Sequence, residues 1–250
     1  MSESSIKKSC DYFRLSKQEI EKYSPVRKAI LIADSKGNYI KDKITTESKL
    51  NIKFITRKGW KIQEVIDWAE RELTNECRHF DKITCYIWLG TCNLTEYTRS
   101  SKYITLQAHN DSNVKYLKRK FIELKHLIQS SLANSKVVFL EVPAYSIQWW
   151  NRKHGHKTPT DFATDDQLLQ DQIYQLNKYI VEINGSEELS PKFELDQRKV
   201  SVRKGKKDEY YNFNLMKDDG VHPSSNLATL WLRRIANKIL KQCFTKRGQN

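Results

Sequence analysis

Three residues whose types can together activate a hydroxyl stand far apart in this chain: Ser35, Asp219 and His222. A serine hydroxyl is a weak nucleophile until a base removes its proton. Imidazole can serve as that base, with a carboxylate to orient the ring and stabilise its charged form. In Asp219-Gly220-Val221-His222-Pro223 the carboxylate precedes the histidine by three residues, so one short loop can aim both side chains at one point. The same pentapeptide also reads as a plain turn and helix start, because Asp-Gly favours turns and proline suits the first helical position.

Ser35 follows Lys28-Ala29-Ile30-Leu31-Ile32-Ala33, an apolar run without polar alternation that ends abruptly at Asp34-Ser35-Lys36-Gly37. Such a run suits a central parallel strand covered on both faces, and ligands of such sheets gather beyond the carboxyl ends of the strands. A second reading makes Asp34 or Ser35 the N-cap of a following helix, with Gly37 loosening the turn.

The elements that would hold these residues repeat one pattern. Asn51-Ile52-Lys53-Phe54-Ile55 reads as a second strand leaving at Gly59, and Ile62, Val65, Ile66, Ala69 and Leu73 mark an amphipathic helix after it. Lys82 to Leu89 is a third strand closing on Gly90, and a long helix passes through Val114, Leu117, Phe121, Leu124 and Ile128. Ser135 to Pro143 holds a fourth strand. Helices from Asp165 to Ile183 and from about Ser224 to Phe244 complete the set. Strands alternating with helices predict an α/β fold, a three-layer α/β/α sandwich around a mostly parallel sheet of flavodoxin-like type.

With 250 residues, 38% of them hydrophobic, the chain can bury one sizeable core. The expected organisation is an arm over residues 1–24, a single domain over 25–245 and a tail over 246–250. No run approaches the roughly 18 apolar residues that span a bilayer, and the start resembles no signal peptide, so an intracellular protein of the cytoplasm or nucleus is expected. Five cysteines, odd in number and without a C-x-x-C pair, suit free thiols. Neither a metal nor a cofactor is expected: an extended stretch between Cys85 and Cys92 would hold the two sulfurs too far apart for one zinc ion.

Lys and Arg number 44 against 30 Asp and Glu, a formal net charge of +14 that would draw the protein toward polyanions. Two stretches concentrate that charge. Trp149-Trp150-Asn151-Arg152-Lys153-His154-Gly155-His156-Lys157 reads as a basic, aromatic loop, in which Trp149 and Trp150 either stack on bases beside Arg152 and Lys153 or roof a core. Arg198 to Lys207, with Arg203, Lys204, Lys206 and Lys207, reads either as part of an RNA or single-stranded DNA surface or as a solvated edge strand kept from aggregating by lysine.

Taken together, these short blocks resemble the SGNH, or GDSL-like, hydrolase superfamily from about Arg27 to Lys241. Ala33-Asp34-Ser35 is similar to its Gly-Asp-Ser block with alanine for glycine, which makes Ser35 the implied nucleophile. Gly59 falls where the second block gives a backbone N–H to the oxyanion hole. Asp219 and His222 match the closing Asp-x-x-His block and complete the implied triad, acting on an ester of unspecified identity.

The third block departs from the pattern. Gly90-Thr91-Cys92-Asn93 stands where the family has Gly-x-Asn-Asp, so Cys92 replaces the asparagine that donates to the oxyanion and Asn93 lies one position late. A thiol donates poorly, and loss of one such donor costs about 100- to 1,000-fold in rate, which weakens an esterase without abolishing it. Two relatives frame the outcome. The esterase domains of some LINE-type retrotransposons pair this fold with a nucleic-acid context, while the C-terminal domain of the Oskar protein turns it to RNA binding. The retained triad favours the esterase, with a nucleic-acid-binding module as the alternative.

Overall fold

The computed structural model describes residues 22–43, 50, 52–186, 188–203 and 206–247. The expected arm up to residue 21, Lys204 and the last residues of the tail lie outside them.

In chain order the elements are β1 (Tyr23–Pro25), β2 (Lys28–Ala33), α1 (Ser35–Lys41), β3 (Lys53–Thr56) and α2 (Ile62–Trp68), which runs through a π-helical turn (Ala69–Leu73) into α3 (Thr74–Cys77). There follow β4 (Ile83–Trp88), α4 (Thr91–Leu94), the hairpin β5 (Thr95–Thr98) and β6 (Tyr103–Leu106), α5 (Ser112–Ser131) and β7 (Ser135–Phe139). The chain closes with α6 (Ile147–Lys153), α7 (Ala163–Asn184), α8 (Glu194–Gln197), the hairpin β8 (Arg198–Arg203) and β9 (Lys206–Tyr211), α9 (Ser225–Cys243) and β10 (Phe244–Lys246).

The central sheet has the order β3-β2-β4-β7 and is parallel throughout. The protein is therefore α/β, a parallel sheet flanked by helices: α1 packs with α9 and β3, and α5 packs with α2 and α7. The chain enters at β2, steps outward to β3, then returns past β2 to β4, so the connections after β2 and β4 diverge. A crevice opens at such a switch point. Ser35 and α4 stand on its two sides.

The uniform apolar run of β2 is explained by its place. Ile30, Leu31 and Ile32 are fully buried between two helical layers, each contributing about 1.5–3 kcal/mol by leaving water. Ile87, Leu89, Val138 and Leu140 are buried likewise. Phe54 is only partly buried, because β3 is the edge strand and one flank lacks a neighbour.

Other expectations are revised. Trp149 and Trp150 are helical, not looped: the Ser146 hydroxyl accepts the N–H of Trp149 at 3.0 Å, and the half-buried Asp166 carboxylate accepts the N–H groups of Ile147 and Gln148. Sequence periodicity also passed over the β5–β6 hairpin, whose strands are too short to show alternation. The basic run forms one two-stranded antiparallel pair, β8 with β9. At the domain's edge, β1 pairs antiparallel with β10, joining the two ends of the described fold.

Candidate active site

Asp34 and Ser35 serve two functions side by side. The Asp34 carboxylate accepts the Lys36 N–H at 3.0 Å and caps α1, so the capping interpretation holds for Asp34. Ser35, the first helical residue, turns its hydroxyl toward His222, with Oγ 3.2 Å from Nε2. On the other side of the ring, Nδ1 lies 2.8 Å from Asp219 Oδ2. A carboxylate accepts, so Nδ1 carries the proton and Nε2 is left to accept from serine.

The Asp219 loop is built to hold that orientation. Its second oxygen, Oδ1, accepts the backbone N–H groups of Val221 and His222, each at 2.9 Å. Burial works against ionising Asp219, but the hydrogen bond from the His222 ring, the two backbone N–H groups and the charge His222 can take up outweigh it and hold the carboxyl below its usual range. Gly220, with φ of +66°, lets the turn close, and Pro223 and the Ser224 cap lead into α9. The Tyr39 ring, 4.9 Å from that of His222, backs the imidazole, and Lys217 lies over Tyr39.

Ser35 and His222 border a cavity of about 290 Å³ at the carboxyl ends of the strands, together with Gly59, Cys92, Tyr145, Trp150 and His154. A larger cavity, about 480 Å³, opens at the opposite end beside Arg27, Lys28 and Phe80. It lies at the amino ends of β2 and β4, where none of the described lining residues is a serine or cysteine.

The implied oxyanion residues divide. The backbone N–H groups of Ser35 and Gly59 have no acceptor within the described protein and stand free for a ligand. Gly59 takes φ of +70°, a left-handed conformation that glycine adopts without strain. Cys92 borders the cavity, but its Sγ lies 3.8 Å from Asp34 Oδ2, toward which it can donate. Burial and the adjacent Asp34 charge push this thiol up to about 12, so it is neutral at physiological pH. Asn93 does not border the cavity. Its side-chain oxygen accepts the Ile62 N–H at 3.0 Å and fixes the start of α2 instead.

Four further residues escaped the sequence reading. Lys36 is buried behind the nucleophile, its Nζ 2.5 Å from both Asp34 Oδ2 and Thr91 Oγ1. Tyr145 roots the cavity floor through its hydroxyl to Thr91 O at 2.8 Å, and Tyr97 of the β5–β6 hairpin forms part of the wall. His154 stacks on Trp150 at 4.3 Å between ring centroids and donates Nδ1–H to the Trp150 carbonyl. A lysine after the serine looks like an ordinary solvated residue, and only the aromatic density around Trp150 hinted at the rest.

The suggested nucleic-acid residues are placed as follows. Trp150 is a wall of the cavity and donates Nε1–H to the Lys102 carbonyl. Arg152 lies over the Trp149 ring at 4.5 Å, and Lys153 pairs with Asp218 at 2.9 Å. Arg203, Lys206 and Lys207 belong to the β8–β9 hairpin, and Lys204 lies outside the described residues.

No family model matches the chain, and no curated protein matches it by sequence. Solved structures do match in shape. A GDSL-like lipase from Bacteroides thetaiotaomicron superposes with a TM-score of 0.54 at 14% identity, covering 94% of this chain and 97% of that one. The lipase/acylhydrolase from Enterococcus faecalis gives 0.52 at 12% identity, over 88% and 98%. A carbohydrate esterase of family 3 from Talaromyces cellulolyticus gives 0.51 at 13% identity, over 86% and 97%. The fold is thus one shared with GDSL-like, or SGNH, lipases and acylhydrolases. Among the described residues no helix is long and apolar enough to cross a membrane.

Proposed function

We propose that this chain is a serine esterase of SGNH type, with Ser35 as nucleophile, His222 as general base and acid, and Asp219 as the group that orients the imidazole. The observation that carries the reading is the unbroken line from Ser35 Oγ to His222 Nε2 at 3.2 Å and from His222 Nδ1 to Asp219 at 2.8 Å. It stands at the switch point of a parallel sheet, where ligands of such folds bind.

In the reaction, His222 Nε2 takes the Ser35 proton as Oγ bonds to the ester carbonyl carbon. Negative charge gathers on the carbonyl oxygen, met by the backbone N–H groups of Ser35 and Gly59. The carbon–alkoxide bond then breaks, His222 returns the proton to the leaving alcohol, and the acyl group stays on Ser35. Water repeats the sequence and releases the acid. With the Cys92 thiol directed at Asp34, two backbone donors among the described residues serve the oxyanion, so turnover is slow.

The test uses a short-chain nitrophenyl ester and a fluorophosphonate. Turnover with a single covalent phosphonyl adduct, both abolished in Ser35→Ala, is the expected result; turnover or labelling that survives that substitution would defeat the proposal.

The nucleic-acid alternative, and with it the retrotransposon-associated type, rests on the +14 charge and on the two basic stretches of the sequence. Its proposed stacking residue Trp150 forms the cavity wall, and Arg152 and Lys153 are engaged by Trp149 and Asp218.

A further inference from the structure

The connection from β3 to α2 reads Arg57-Lys58-Gly59-Trp60-Lys61, three cations around one of the free N–H groups. Arg57 is occupied, its guanidinium 5.0 Å from the centre of the Trp60 ring. Lys58 and Lys61 are exposed and border the catalytic cavity on either side of Gly59. Neither has an ion-pair partner among the described residues. Glu64, the acid next along the chain, gives its carboxylate to the Lys61 backbone N–H at 2.8 Å. Among the described residues, none bordering the cavity is acidic.

Two ammonium groups at a cavity whose lining residues include no acid make a field that gathers anions, and the single Glu64 carboxylate at the Lys61 N–H offsets only part of it. The interior is of opposite character. Thr91, Thr95, Ile104 and Tyr145 are buried there and carry no charge. The cavity thus separates the two halves of an ester, a short uncharged acyl group inside and a charged alcohol at the rim.

Resting on the esterase reading, we infer that Lys58 and Lys61 determine specificity, and that the substrate class is the short-chain acyl ester of an alcohol bearing an anionic group. The charged alcohol is held at the β3–α2 rim while its acyl carbon meets Ser35, so the lysines act chiefly on KM.

The experiment compares 4-acetoxybenzoate with the neutral, similarly shaped 4-acetoxybenzamide. The ratio of their kcat/KM values in the parent protein should exceed that in the Lys58→Gln/Lys61→Gln variant by about tenfold. The ratio should fall further in Lys58→Glu/Lys61→Glu. Added salt should erode the preference of the parent protein, since the lysines are exposed. Equal ratios in the parent and the glutamine variant, alongside turnover of the amide probe that requires Ser35, would overturn this inference and leave the esterase reading intact. Absence of Ser35-dependent turnover of either probe would overturn both.

Discussion

Gly220 and Trp149 approach so closely that no side chain fits between them: a Cβ built on the glycine would collide with the Cβ of the tryptophan. The contact docks the Asp219–His222 loop on α6, and the Gly220 carbonyl accepts the Ser146 N–H at 3.0 Å to fix the same junction. Gly220→Ala should therefore do two kinds of damage. The left-handed backbone costs about 1 kcal/mol with a Cβ, and the collision forces the loop off α6. The expected result is a fall in kcat of at least about 100-fold, the scale of a 1 Å misplacement, with the circular dichroism spectrum retained. An unchanged kcat would show that the loop's position does not depend on this contact.

The His222–Asp219 pair sets a pH signature. Asp219→Asn keeps the shape but offers an amide N–H where Nδ1–H needs an acceptor, favouring the wrong tautomer; kcat should fall by about 10⁴. Stability has its own sign. The folded Asp219 carboxyl is held below its ordinary value, so its contribution is full above the unfolded value of about 3.9 and is lost as pH falls through the folded one. Acid titration of unfolding in parent and Asp219→Asn should converge below that window and separate above it; parallel curves would remove Asp219 from the account.

The sheet was readable because each of its strands announces itself by local pattern. The run from Lys28 to Ala33 has one interpretation, and the helical spacing from Val114 to Ile128 has another. Ser35, Asp219 and His222 were legible as types at suggestive spacing, but a separation of 187 residues between Ser35 and His222 becomes a distance only through the fold. Trp149 and Trp150 show the limit. The sequence gives their aromatic character and basic neighbours, whereas the cap from Ser146 and the clasp of Asn151 on both backbone groups of Ile104 decide that they build a wall. Lys36 shows it again, since burial of a lysine depends on partners from two other segments.

Asp34 and Lys36 form a buried ion pair, with both side chains almost fully removed from water. Desolvation offsets much of the attraction of such a pair, yet removing one partner strands the other charge. Lys36→Met should cost about 3–5 kcal/mol in denaturant unfolding, because among the described residues the Asp34 carboxylate keeps only the backbone N–H of position 36 and the weak Cys92 thiol. Asp34→Asn/Lys36→Met should regain a large part of that loss, the asparagine still capping α1. A double variant no more stable than Lys36→Met would show that the pair is not the origin of the cost.

Cys92 tests the oxyanion argument. The thiol stands at the cavity wall and donates, weakly, to Asp34, while Asn93 is committed to the Ile62 N–H. Cys92→Asn places an amide, a far better donor, at the same wall, and Thr91 with its ties to Lys36 and Tyr145 holds the backbone register. An added donor aimed at the developing charge raises kcat without tightening ground-state binding, so kcat should rise about 10- to 100-fold at nearly constant KM. Cys92→Ser gives the control, a small hydroxyl that keeps the Asp34 contact and should change kcat little. Asn93→Ala should leave α2 less stable by about 1 kcal/mol, as loss of a helix-start acceptor does. Should Cys92→Asn lower KM and leave kcat as it was, the amide would be reading the substrate rather than the oxyanion, and the two-donor account of slow turnover would fall.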